Sequence, residues 1–146
     1  MEVSWNDDHS KYIFIQGTSV FGIGNKACLV IPIKIIQGDH SIPTNTLIDS
    51  GAYDNFIHES LADQIDTEEL ETSIDCRNVD GTLNANGAIT RYTWVKVTME
   101  EQAFYIRCKV ANLGYERIIL GDTWLCKVNP QINWPRRKLH LPRIAY

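Results

Sequence analysis

The chain has 146 residues, 44% hydrophobic and 22% charged, with a formal net charge of −4. That length suits one domain with a core of its own, and the composition is ordinary for a globular protein. The acidic balance disfavours nucleic-acid and anionic-membrane partners, both of which favour a concentrated basic patch.

The one basic cluster, Arg136-Arg137-Lys138 beside Pro135, reads as a solvated turn, since useful basic tracts run to about 5–8 residues. Cys28, Cys76, Cys108 and Cys126 are too widely spaced for a C-x-x-C motif and read as four buried, reduced thiols. His9, His40, His58 and His140 show no ligand spacing and read as surface positions, so neither metal nor cofactor is expected. The N-terminus has neither a positive n-region nor an apolar h-region. No apolar run approaches the roughly 20 residues of a membrane span. A cytoplasmic protein, or a piece of a larger one, is expected.

Residues 1–26 read as an N-terminal extension with a possible edge strand through Tyr12-Ile13-Phe14-Ile15, and 27–146 as the main domain. Cys28 to Ile36 is a β-branched run ended by the turn pair Gly38-Asp39, and Thr46 to Asp49 returns as a strand. Asn55 to Ile65 has helical spacing, with Phe56, Ile57, Leu61 and Ile65 on one face. Glu68-Glu69-Leu70-Glu71 reads as a solvated loop or helix face. From Ser73 to Thr98 the pattern is strand, turn, strand, with Asp80-Gly81 as the hairpin pair. Ala103 to Val110 is a strand, Ile118 to Leu120 a short buried one, and Trp124 to Val128 a helical turn or two ended by Asn129-Pro130. Strands around Ile132 to Trp134 and Lys138 to Leu141 complete a mostly β, barrel-like pattern.

The most informative stretch is Asn45-Thr46-Leu47-Ile48-Asp49-Ser50-Gly51-Ala52. An aliphatic run delivers one carboxylate to the end of a buried strand, followed by a hydroxyl residue and a glycine that admits another backbone. Chemistry that sets two carboxylates around one water needs such a delivery. Asp-Ser-Gly occurs once, so if the chain performs that chemistry the second carboxylate must come from a second copy of it.

Three motifs stand in order: Leu47 to Ala52 with Asn55-Phe56-Ile57, then Asn78-Val79-Asp80-Gly81-Thr82-Leu83-Asn84, then Ile119-Leu120-Gly121-Asp122-Thr123-Trp124-Leu125 with Asn129 to Trp134. Over roughly residues 27 to 141 this order resembles the retropepsins, and within them the gypsy-type LTR retrotransposon proteases. The resemblance implies a closed retropepsin-like β-barrel with one or two short helices and half a site per chain. It implies Asp49 as the catalytic acid, Ser50 tying the two active-site loops together, and Gly51 presenting its carbonyl to substrate. Ala52, Tyr53 and Asp54 would line subsites, although retroviral members often carry an acid at the position of Tyr53. Val79, Asp80, Gly81, Thr82 and Leu83 would form a flap. Ile119, Leu120 and Gly121 would support the loop. The implied partners are a second copy and an extended Gag-Pol type polyprotein, processed in the cytoplasm or within virus-like particles. A domesticated protease with a cellular substrate, or a catalytically silent dimerisation or peptide-binding module, would share these motifs.

Overall fold

The computed structural model describes residues 11–21, 27–65, 68–77, 83–113 and 117–143. They form eleven strands and two short helices. Six strands close a barrel: β3 (Ala27–Gln37), β4 (His40–Ile48), β9 (Ile118–Leu120), β5 (Phe56–His58), β8 (Gln102–Ala111) and β7 (Leu83–Met99), with β7 returning to pair with β3. β2 (Thr18–Phe21) extends the sheet beside β3, and β6 (Glu68–Arg77) beside β7. A separate three-stranded sheet runs β1 (Tyr12–Gln16), β11 (Lys138–Pro142), β10 (Gln131–Asn133).

Strand alternation builds the core. On β3, Leu29, Ile31, Ile33 and Ile35 point inward, meeting Val95 and Val97 of β7, Ile106 and Cys108 of β8, and Ile118 and Leu120 of β9. Burying an aliphatic side chain of this size contributes about 1.5–3 kcal/mol, so the period-two pattern decides which face closes. The Gly38-Asp39 turn joins β3 to β4 with Gly38 at φ +57°, where glycine avoids a Cβ clash.

Four sequence expectations need correction. Asn55 to Ile65 is not one helix: β5 occupies Phe56–His58, and only Glu59–Ala62 (α1) is helical. Phe56 and Ile57 pair with Lys109 and Val110 on one side and with Ile119 and Ile118 on the other, and that pairing overrides local periodicity. The acidic run Glu68 to Glu71 is the start of β6, not a loop or helix face. His140 is buried at 1% exposure, edge-on to Phe14, rather than at the surface. Cys126 is exposed; Cys108 is buried, and Cys28 and Cys76 lie where side chains are not described. No helix among the described residues is long and apolar enough to cross a membrane.

Candidate active site

Asp49 follows the last residue of β4, at the point where β4 lies parallel to β9. Its backbone N–H donates to the Leu120 carbonyl (3.0 Å), so the β9 ladder runs one residue past the strand and fixes where the carboxylate emerges. Below it, the buried Thr46 hydroxyl donates to the Ile118 carbonyl (3.1 Å), tying the same two strands. The loop then turns tightly. Ala52 N–H donates to Asp49 O (3.2 Å), and Gly51 N–H donates to Asp49 Oδ1 (2.9 Å). One carboxylate oxygen is thereby oriented by its own loop. Asp49 is half-buried, and Ser50 and Gly51 are exposed, so the loop can meet another surface.

Gly121 caps the N-terminus of α2 (Asp122–Val128) and lies beneath this loop. A Cβ there would run into the Asp54 carbonyl and come within 2.5 Å of the Ala52 carbonyl, so the glycine is required by close backbone approach. Asp122 N–H donates to Ala52 O (2.7 Å), stitching loop to helix. Leu120 is buried and Ile119 half-buried. Asn129, at φ +51°, ends α2 in the left-handed conformation, and Pro130 prevents its continuation.

Beyond Ala52 stands a polar cluster that the sequence did not reveal. Asp54 Oδ2 pairs with Lys109 Nζ (2.5 Å), while Asp54 Oδ1 accepts from Asn55 N–H (2.8 Å) and the Thr123 hydroxyl (3.1 Å). Burial pushes the Asp54 carboxyl up, but the Lys109 ammonium and the two other donors outweigh it and hold it below its usual value. Asn55, buried at 6% exposure, accepts from Gly121 N–H (3.0 Å) and donates to Arg107 O (3.3 Å). It therefore bridges the helix cap, the loop and β8. Its place in the Asn55-Phe56-Ile57 motif was the available signal, since side-chain bridging leaves no periodicity. Lys109 Nζ also sits 4.8 Å from the Tyr53 ring centre, and Tyr53 packs edge-on against Phe56 at 5.8 Å. Tyr53 is 57% exposed and forms an aromatic wall beside the loop.

Asp49, Ser50, Gly51, Ala52, Tyr53 and Asp54 are thus brought together over Gly121. Leu83 opens β7, whereas Val79, Asp80, Gly81 and Thr82 lie outside the described residues. Among the described residues no group of three or more His, Cys, Asp or Glu side chains could hold a metal. Burial drives the Cys108 thiol up, and at Cys126 the hydrogen bond to Asp122 (3.4 Å) does so, which disfavours a thiolate nucleophile at either position.

A family profile, the PEG10/RTL1 protease domain, matches residues 45–143. The chain belongs to the PEG10/RTL1 protease domain family. The match covers the Asp49 loop, β9, α2 and the closing strands together. A retropepsin-like aspartic protease from Rickettsia conorii superposes with a TM-score of 0.54 at 16% identity, covering 92% of this chain and 93% of its own. The retroviral protease-like domain of Ddi1 from Leishmania major gives a TM-score of 0.48 at 15% identity, over 78% of this chain and 92% of its own. No curated protein matches. The likeness to the Rickettsia protein, at such identity, establishes a shared fold: a mostly β, retropepsin-like closed barrel with two short helices.

Proposed function

We propose that this PEG10/RTL1-type domain is an aspartic endopeptidase that works as a homodimer. The observation that carries the reading is a half-buried carboxylate, Asp49, held by backbone bonds where parallel β4 and β9 end, in a loop whose next two residues are exposed. One such carboxylate is half of a dyad. Two, about 3 Å apart across a two-fold axis, cannot both ionise and share one proton. The ionised member takes a proton from a water as that water attacks the scissile carbonyl, and the protonated member polarises the carbonyl oxygen. Ser50 braces the two loops, Gly51 offers its carbonyl to the substrate backbone, and Ala52, Tyr53 and Asp54 line the flanking subsites. The segment from Val79 to Leu83 closes over the peptide as a flap. A substrate binding this way lies extended, as an added strand. We take it to be a Gag-Pol type polyprotein of a gypsy-type element, processed in the cytoplasm or within an assembling particle.

Asp49→Asn tests the reading on a peptide library. The expected result is a fall in turnover of about 10²–10⁴-fold or more, with an unchanged far-UV spectrum. Wild-type cleavage should also stop with a peptide carrying a hydroxyl in place of the scissile carbonyl, which mimics the tetrahedral intermediate. A purified wild-type chain that binds peptides yet never cleaves them identifies a binding module instead.

A further inference from the structure

A second surface lies on the outside of the barrel, on the outward positions of β7 and β8. Register sets Tyr92 opposite Lys109, Trp94 opposite Arg107, and Lys96 opposite Tyr105, so aromatic and cationic side chains alternate across the strand pair. Trp94 is 58% and Tyr105 66% exposed, while Thr93, Val95, Val97, Ile106, Cys108 and Val110 between them are buried. β3 adds the exposed Lys34, opposite Thr98 of β7.

No Asp or Glu occupies the outward positions of these three strands where they pair. Acids stand at the margins of the face. Asp54 is bound to Lys109, Glu101 pairs with Arg143 beyond the β7–β8 turn, and Glu68 holds the register position opposite Tyr92. The cations reach across the rings: the Arg107 guanidinium carbon is 4.2 Å from the Tyr92 ring centre and Lys96 Nζ 5.8 Å from that of Tyr105. Because these residues alternate along separate strands, they form no basic tract in the sequence. The fold concentrates them on one face of a chain whose net charge is −4.

We propose that this face binds single-stranded nucleic acid. Sequence-tolerant binding of single strands combines cations that follow the phosphates with exposed ring planes on which bases stack, and a sheet face bearing both is a recurrent way of presenting them. Trp94 and Tyr105 are diagonal neighbours on adjacent strands, about 7–8 Å apart by sheet geometry, a separation suited to successive bases. An acidic peptide would use the cations and leave these rings in water, so the exposed rings favour nucleic acid. The face meets the segment that follows the Asp49 loop at Lys109, beside Tyr53, and at the Arg107 carbonyl, which accepts from Asn55, and the inference does not depend on peptidase activity.

The test is fluorescence anisotropy of the full chain with a labelled single-stranded RNA of about 10 nucleotides. With Lys34, Lys96 and Arg107 as phosphate contacts, log Kd should rise with log salt at a slope of about 2. Trp94→Ala with Tyr105→Ala should weaken binding about 10-fold or more. Lys96→Gln with Arg107→Gln should lower the salt slope, and the Asp49→Asn chain should bind as the wild type does. Photocrosslinking of a thiouridine-bearing strand to the unsubstituted chain needs no variant and should label Trp94 or Tyr105. The proposal is overturned by absence of saturable binding at low salt, by binding indifferent to loss of both rings, by crosslinks confined to other segments, or by polyglutamate binding as tightly as RNA.

Discussion

Asp54 is the most heavily bonded acid near the Asp49 loop, and its carboxyl is held below the usual value of 3.8. A carboxyl depressed by folding adds stability that is complete above its unfolded pKa and is lost as pH falls through the lower folded value. Near neutrality Asp54→Asn should cost about 1.5–3 kcal/mol, the range for a hydrogen bond to a charged group, because Lys109 stays behind with 12% of its side chain exposed. That deficit should shrink as pH drops below the usual carboxylate range, since the wild type then loses the same interaction. Thermal melts of both chains from neutral to strongly acidic pH check this; a gap constant with pH removes the Asp54–Lys109 pair from the account.

Among the elements, the contact between α2 and the Asp49 loop has the least room. Gly121 is needed there through close approach alone, since its φ of −105° is open to any residue. Gly121→Ala should destabilise by about 1–3 kcal/mol, as overpacking does, because the atoms in the way are backbone and cannot rotate aside. Chemical denaturation measures it, and a loss under half a kilocalorie would mean that loop and helix separate freely. The same element shows what could be read in advance. Ile118 to Leu120 is a short aliphatic run followed by glycine, and its strand has the expected bounds, although Ile119 is half-buried rather than fully buried. Asn129-Pro130 stops α2 by local chemistry. β5 was missed because its partners, Lys109 to Ala111 and Ile118 to Ile119, are remote in sequence. Asn55 was missed because its bonds run to Gly121 and Arg107, which no window around residue 55 contains.

For the whole molecule, the mostly β pattern and the order of three motifs made the fold legible. The β3–β7 closure and the β1–β11 pairing were not, because both join strands far apart in the chain. The proposed dimer has a direct assay. An equal mixture of inactive Asp49→Asn chain and wild type, allowed to exchange, should show about one quarter of the activity of the same total amount of wild type, since only pairs with two intact loops turn over. A residual of one half would mean that each chain works alone. Activity should also follow a bell against pH with its maximum on the acid side of neutral, bounded by two apparent pKa values that belong to the pair.

The pairing of β1 with β11 sets Tyr12 against Pro142 and Gln16 against Lys138. During synthesis β1 emerges first and must wait for a partner made at the other side of the domain, on the order of ten seconds at about 5–20 residues per second. Until then Ile13 and Ile15, which end up buried, have no β11 to cover them. The three-stranded sheet is thus a completion signal: a chain whose β11 has not yet left the ribosome cannot assemble it, however early the barrel begins to form. Chains stalled before Lys138 should be cut by an added protease within Tyr12–Gln16, and chains long enough to release β11 should resist, which timed proteolysis of ribosome-bound lengths can follow.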